Sequence, residues 1–247
     1  IDSIQYHRNN RGIYLPPATY SFVEQINGRG VYSFCMCPGG TVVPAATSDN
    51  ELVVNGMSPT LRGGEFANSG IVVEVQTDDL KQYSKYREFA GLKFQEDMER
   101  KAFEMADKTM FAPAQRLTDF IEGRKSVSLP ESSYHPGLKE SELNKWLPSF
   151  IGNRLQQGFS QMDRKARGFV TDQAIVIGVE TRTSSPMRIP RDADSFEHVK
   201  IRSLFPCGEG AGYAGGIVSS AIDGERCAEK VAIALGVLTD VEIPKEQ

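Results

Sequence analysis

Apolar residues in the first third of the chain fall in short β-prone runs between turn clusters. The runs VYSFCMC, TVVPAAT, ELVVNGM and SGIVVEVQ are separated by Pro-Gly-Gly, Ser-Asp-Asn and further turn residues. Short β-prone runs divided by turn residues are typical of antiparallel strands joined in a meander. The pattern therefore predicts a mostly antiparallel sheet within residues 1–78.

The apolar spacing changes to a helical period from about Asp79. In GLKFQEDMERKAFEMADK the apolar positions Phe94, Met98 and Ala102 recur every four residues. This spacing places them on one face of an amphipathic helix. We therefore expect an inserted helical block over residues 79–165.

Two more helices are predicted inside this block. In APAQRLTDFIEG, Pro113 fits the first turn of a helix and Gly123 fits its C-terminal cap. Apolar residues between Leu147 and Met162 again step by three and four. Pro148 marks either a kink in this helix or its start.

Strand-like segments return after the helical block. The apolar run Ala174–Val179 predicts a buried strand, and VKIRSLFPCGE predicts two short strands or one bent strand. A final helix is expected from about Ala214 to Leu235. The predicted fold class is α+β: a mostly antiparallel sheet interrupted by a helical insert, ending in a Gly-rich loop and a long C-terminal helix. Its predicted parts are 1–78, 79–165 and 166–247.

Composition excludes several classes of function. The chain has 247 residues, a formal net charge of −4 and no long basic run, which argues against nucleic acid or an anionic membrane as partner. No apolar run approaches the roughly 20 residues that span a bilayer. Four cysteines without a secretory signal indicate free thiols in a reducing, cytoplasmic compartment. The cysteines and histidines show no zinc-ligand spacing.

The glycine-rich segment SLFPCGEGAGYAGGIVSSAIDGERCAEK is the first candidate for chemistry. A helix N-terminus carries unpaired N–H groups and partial positive charge, and glycines let a ligand approach them closely. Glu209 could accept hydrogen bonds from ligand hydroxyls. A tight structural turn with glycines for close packing explains the same spacing, which leaves both interpretations open. The five glycines are Gly208, Gly210, Gly212, Gly215 and Gly216.

The pair Cys35-Met-Cys37 is the second candidate. A dithiol could exchange electrons, and a Cys-x-Cys disulfide would be strained and easily reduced. Residues i and i+2 of a strand share a face, so both thiols could instead pack in the core. The packing interpretation is favoured, and Cys207 and Cys227 are also expected to be packed residues.

Three blocks of the chain resemble a known family. They are NGRGVYSFCMCPGGTVVPAATSDNELVVNGMS, FANSGIVVEV and APAQRLTDF. Together they resemble the bacterial family of uncharacterised FAD-dependent dehydrogenases, also called NAD(FAD)-utilising dehydrogenases. The C-terminal segment is similar to the flavin motif of two-dinucleotide-binding flavoproteins, in which a helix N-terminus points at the flavin.

The resemblance implies roles at matching positions. Glu209 stands where the family has an acid near the FAD ribityl chain. Gly215, Gly216 and Ile217 stand where backbone N–H groups approach the N1/O2 edge of the flavin. A helix N-terminus there would stabilise negative charge on the reduced flavin and favour hydride acceptance.

One part of a complete FAD site is not found in the sequence. The pyrophosphate is ordinarily held by an N-terminal βαβ unit with G-x-G-x-x-G, and no such fingerprint follows a predicted strand here. We therefore expect a fragment of an FAD-dependent oxidoreductase that binds FAD weakly or not at all by itself. Its expected partners are an N-terminal Rossmann portion of the same polypeptide and a small-molecule substrate. The expected hydride transfer runs between FAD and either this substrate or NAD(P)H. The alternative is a non-catalytic binding or interaction module with a structural glycine loop.

Overall fold

The structure is a computed structural model that describes residues 5–7, 12–16, 18 and 21–239. The chain divides into two compact units. The first comprises residues 1–79 and 96–181, and the second comprises residues 80–95 and 182–247. Helices and strands together confirm the predicted α+β class. The three-part division predicted from sequence stays a prediction.

Eight strands and five α-helices are present in the described residues. The strands are β1 (Val23–Ile26), β2 (Arg29–Cys37), β3 (Thr41–Pro44), β4 (Val54–Met57), β5 (Asn68–Val73), β6 (Ala112–Arg116), β7 (Leu138–Glu140) and β8 (Ile175–Ile177). The helices are α1 (Ala90–Met105), α2 (Leu117–Glu122), α3 (Leu143–Trp146), α4 (Ser149–Lys165) and α5 (Ile217–Ala234). A 3₁₀ segment covers Thr77–Phe89.

The N-terminal strands form two sheets and not one meander. Strands β1, β2 and β5 make an antiparallel sheet with β2 in the centre, whereas β3 and β4 pair only with each other. The sequence prediction missed β1, although Asn27 and Gly28 carry a clear hairpin signal. Their φ angles are 50° and 75°, as a two-residue type I′ turn requires.

Strand β6 lies inside the predicted helical block, so the second predicted helix starts later than the sequence indicated. Pro113 belongs to this strand, and helix α2 begins only at Leu117. Strand β6 pairs with β7 in parallel and with β8 antiparallel. The buried strand predicted after the block therefore joins a strand from within it. Gly123 caps α2 with a φ of 68°, as predicted.

The core of the first unit forms between helix α4 and the strands. Pro148 is the N-cap of α4, so this proline marks the start of the helix and does not kink it. Apolar residues of α4 pack with those of β1, β2 and α2. Buried members of this core are Phe22, Ile26, Val31, Leu52, Val54, Ala102, Ala106, Ala112, Leu117, Phe120, Tyr134, Leu143, Trp146, Leu155, Phe159, Met162 and Val179.

The second unit contains a long irregular segment followed by α5. No strand forms over residues 199–209, so the strands predicted in VKIRSLFPCGE are wrong. In place of a ladder, single hydrogen bonds hold this segment: the N–H of His198 donates to the Leu204 carbonyl at 2.7 Å, and that of Ser203 donates to Glu197 Oε1 at 2.6 Å. An isolated bridge joins Arg191 to His198. Helix α5 begins at Ile217, three residues later than predicted, because Gly216 has an extended backbone.

Candidate functional site

The predicted glycine-loop residues all lie together in the second unit, directly before α5. Gly208 and Gly212 have φ angles of 71° and 82°, which favour glycine. The N–H of Gly212 donates to the carbonyl of Glu209 at 2.9 Å, and that of Tyr213 donates to Gly208 at 3.0 Å. These bonds close the loop into tight turns.

The glycines of this loop differ in how much space a side chain would have. A Cβ on Gly212 would lie 2.7 Å from the carbonyl oxygen of Met187, so close packing excludes a side chain there. A Cβ on Gly210 would meet nothing within 4 Å. Close packing therefore explains Gly212 but not Gly210, and the ligand-binding interpretation of these glycines stays a prediction.

The N-terminus of α5 is exposed and has no side-chain cap. Its N-cap, Gly216, supplies no side-chain hydrogen bond, and the first intrahelical bond runs from the Ser220 N–H to the Gly216 carbonyl at 2.9 Å. Ile217 and Val218 are 85% and 71% exposed. The first turn of a helix has N–H groups without intrahelical partners. The geometry thus offers donors and partial positive charge at an exposed position.

Glu209 is held beside this loop by one hydrogen bond. Its Oε1 accepts the backbone N–H of Ser184 at 2.9 Å. The side chain is half-buried. A carboxylate anchored in this way is a suitable acceptor for ligand hydroxyl groups.

An arginine–aspartate pair that sequence analysis missed ties the loop to α5. The Arg191 guanidinium donates from Nη2 to Oδ1 of Asp223 at 2.6 Å and from Nη1 to Oδ2 at 3.0 Å. The same Nη1 donates to the carbonyl of Pro206 at 2.8 Å. Asp223 Oδ2 also accepts the N–H of Gly208 at 2.8 Å. The partners are far apart in sequence, so no spacing rule could have found them.

Two aromatic rings stack on the guanidinium group of this pair. The Arg191 guanidinium carbon lies 3.9 Å from the ring centroid of Phe196 and 3.7 Å from that of Tyr213. Its side chain is only 7% exposed. The hydrogen bond from Arg191 lowers the pKa of Asp223, which keeps the carboxylate ionised.

The cysteine pair adopts a geometry that strand alternation did not predict. A register shift between Phe34 and Cys37 breaks the pairing of β2 with β5, and Cys35 has a φ of 45°. Cys35 is exposed and Cys37 is buried, so the expectation of a shared face is wrong. Burial raises the pKa of the Cys37 thiol. Both are free thiols.

The other two cysteines also differ from each other. Cys227 is buried on α5, with its Sγ 3.6 Å from the carbonyl oxygen of Phe205, as expected of a packed residue. Cys207 is exposed, which corrects the expectation that it packs. It lies in the irregular segment, where no strand directs its side chain inward.

Glu180, in the first unit, is a carboxyl group that sequence analysis did not single out. Burial raises its pKa to about 7. Its charge in turn raises the pKa of Cys37, after the larger effect of that thiol's own burial. The preceding residue, Val179, accepts the backbone N–H of Val54 at 3.0 Å. A carboxyl group that titrates near neutral pH can exchange protons under physiological conditions.

The described residues contain neither a metal-binding cluster nor a membrane-spanning helix. No group of three or more His, Cys, Asp or Glu side chains there could hold a metal ion. None of the described helices combines the length and apolar character needed to cross a bilayer.

Comparison with known proteins places the chain in a family. The family model described as "FAD-dependent protein, C-terminal domain-like" matches residues 1–183. The chain belongs to this family, which confirms the resemblance to FAD-dependent proteins. It is also similar to an uncharacterized protein of Clostridium beijerinckii, with 42% identity over 231 residues, which are 92% of this chain and 43% of that protein. The chain therefore spans less than half of this relative.

The second unit presents polar groups of the kind that could hold part of an FAD molecule. The uncapped α5 N-terminus offers N–H donors, Glu209 offers an acceptor for hydroxyls, and the space beside Gly210 is open. This donor set suits the ribityl chain and the pyrimidine edge of a flavin. The family match supports FAD as the cofactor of the parent protein.

Proposed function

We propose that this chain is the C-terminal, substrate-domain portion of an FAD-dependent oxidoreductase. The parent protein would transfer hydride between FAD and a small organic substrate or NAD(P)H. The observation that carries the proposal is the open N-terminus of α5 behind a glycine loop, in a chain that belongs to an FAD-dependent family. Its counterpart would be a Rossmann portion of the same polypeptide, upstream of this segment.

The glycine loop and α5 would each hold one part of the cofactor. The Glu209 carboxylate would accept hydrogen bonds from ribityl hydroxyls, and the Gly215, Gly216 and Ile217 amides would donate to the pyrimidine edge. Bound FAD would supply two-electron hydride chemistry. Because a helix N-terminus favours negative charge, the α5 amides would stabilise the charge that arrives with the hydride. Gly208, Gly210 and Gly212 shape the loop so that its backbone can approach the cofactor.

The exposed apolar residues of α5 support an upstream partner. Ile217, Val218 and Ile222 are 85%, 71% and 44% exposed, although they lie on the longest helix of the second unit. Apolar side chains on a helix ordinarily pack against another element. The upstream portion of the parent polypeptide is the proposed occupant of this face.

A reconstitution experiment tests the proposal. FAD is added to this chain alone and to a version extended upstream by the remainder of the parent protein, and both are then desalted. Flavin absorbance retained only by the extended version supports the proposed function. If the extended version also stays colourless, the flavin hypothesis fails and a non-catalytic interaction module becomes the better interpretation.

Glu209 is tested in the extended protein by Glu209→Ala. Loss of a hydrogen-bonded carboxylate should weaken FAD retention by about tenfold or more, since hydrogen bonds to charged groups contribute roughly 1.5–3 kcal/mol. The matched control is Glu197→Ala, because Glu197 likewise accepts one backbone N–H, that of Ser203, at 2.6 Å. Equal FAD affinity in the two variants would remove Glu209 from the site.

A redox role for Cys35 and Cys37 stays a prediction. Thiol titration before and after anaerobic reduction of the flavin in the extended protein would detect cycling between dithiol and disulfide. An unchanged thiol count in both states would exclude that role.

A further inference from the structure

The second unit contains a buried charge pair that the proposed flavin contacts do not use. Arg191 precedes the glycine loop, and Asp223 lies on α5. Their side chains are 7% and 13% exposed. Burial of charged groups is costly, so a buried pair of this kind needs a compensating role or well-formed hydrogen bonds.

The hydrogen bonds of this pair converge on the start of the glycine loop. Arg191 Nη1 reaches the carbonyl of Pro206, two residues before the loop, at 2.8 Å. Asp223 Oδ2 receives the N–H of Gly208, the first loop glycine, at 2.8 Å. The next residue along the chain is Glu209. The pair therefore fixes the position of the backbone at Glu209 relative to the axis of α5.

A second set of contacts holds the far end of the loop. Tyr213 stacks on Arg191, and its hydroxyl accepts the Arg191 backbone N–H at 3.0 Å and donates to the Ile189 carbonyl at 3.0 Å. Arg188 donates from Nε to the Gly212 carbonyl at 3.1 Å. Both ends of the segment from Gly208 to Tyr213 are thus anchored around one guanidinium group.

We infer that the Arg191–Asp223 pair positions the flavin site. It aligns the glycine loop with the α5 N-terminus, and its two opposite charges cancel near that N-terminus. The inference rests on the proposed function. Bidentate arginine–carboxylate geometry fixes orientation as well as distance, which a single hydrogen bond would not.

The charges of this pair also lie within electrostatic range of the proposed flavin position. Asp223 follows Ile217 by six residues, so it lies about 9 Å along the helix from the α5 N-terminus. At that distance a largely buried charge still contributes to the electrostatic potential at the α5 N-terminus. While paired, the two charges largely cancel, and removing either one leaves a net charge of known sign.

The test uses the extended, flavin-loaded protein and three variants: Arg191→Gln, Asp223→Asn and the double variant. Each single variant should weaken FAD retention about tenfold, because the loop loses its anchor. The flavin reduction potential should fall in Arg191→Gln, where the aspartate anion remains. It should rise in Asp223→Asn, where the guanidinium cation remains. In the double variant the potential should return close to that of the wild type.

The control is Arg124→Gln in the first unit. Arg124 pairs with Asp119 through Nε at 2.6 Å, outside the glycine loop, and its side chain is 60% exposed. This variant should leave both FAD retention and the potential unchanged. A purely structural role for Arg191 and Asp223 predicts loss of stability without opposite shifts of the potential.

The outcomes separate this inference from the proposed function. A wild-type extended protein that binds no flavin refutes both. A flavin-loaded wild type whose single variants keep wild-type retention and potential refutes the positioning role alone. Potentials that move in the same direction in both single variants also refute it.

Discussion

At the scale of single residues, Glu180 shows how burial changes the chemistry of a side chain. Burial disfavours the ionised form and raises its pKa to about 7. The folded state therefore holds a proton that the unfolded state releases near pH 4.5. The contribution of Glu180 to the free energy of unfolding is fully present below about pH 4.5 and is lost as the pH rises to about 7.

Replacement of Glu180 by glutamine should remove this pH dependence. The Glu180→Gln variant is expected to be more stable than the wild type at pH 8 by roughly 2 kcal/mol, and similar to it at pH 4.5. Urea unfolding followed by the fluorescence of Trp146, the single tryptophan, measures the difference. The exposed Glu104 on α1 provides a control, since Glu104→Gln should leave the profile unchanged. Parallel profiles for Glu180→Gln and the wild type would contradict the expectation.

At the scale of elements, helix α4 carries two glycines with different surroundings. A Cβ on Gly158 would lie 2.7 Å from Cγ1 of Val31, a fully buried residue of β2. A Cβ on Gly152 would meet its nearest neighbours at 3.9 Å, which is ordinary contact. Gly158 therefore permits close packing of helix on strand, whereas Gly152 has room for a methyl group.

Alanine at these two positions should have opposite effects on the free energy of unfolding. Gly158→Ala is expected to destabilise the first unit by about 1–3 kcal/mol through overpacking. Gly152→Ala is expected to stabilise it by about 0.5 kcal/mol, because alanine has the higher helix propensity. Urea midpoints by Trp146 fluorescence distinguish the two variants. Similar midpoints in both would show that the Val31 side chain moves aside without cost.

Elements with a strong local pattern were predicted well. Helices α1 and α4 show sustained apolar steps of three and four, and both form. The helix predicted around Pro113 was wrong, because this segment pairs with the distant strands β7 and β8 although its Pro and Gly positions suit helix caps. Strand pairing depends on residues remote in sequence, which local propensity does not report.

At the scale of the whole molecule, the family match and the first compact unit end at nearly the same residue. The family model ends at residue 183, and the first unit ends at residue 181. The buried core of the first unit lies entirely between Phe22 and Val179. This part of the chain therefore has a hydrophobic core of its own.

A shortened chain of residues 1–183 should fold. We expect its urea midpoint, monitored by Trp146, to match that of the 247-residue chain, because the Trp146 core contains no residue beyond Val179. The indole Nε1 of Trp146 donates to Ser141 Oγ at 2.9 Å, which gives the probe a defined folded environment. A large fall in the midpoint would mean that residues 184–247 contribute to the stability of this core.

The sequence by itself determined the α+β class, the long helices and the position of the glycine loop before a helix. These features follow from apolar periodicity and from residues adjacent in the chain, so local physics is enough to predict them. Its resemblance to an FAD-dependent family rested on matched blocks and was confirmed by the family match.

Only the tertiary structure decided which residues anchor that loop and which thiol is exposed. Arg191 meets Asp223 across a long loop, and the bulge in β2 separates Cys35 from Cys37. Glu180 acquires its raised pKa from burial that no neighbouring residue in the sequence foretells. Each of these properties depends on contacts between distant segments or on solvent exclusion, and both exist only once the chain has folded.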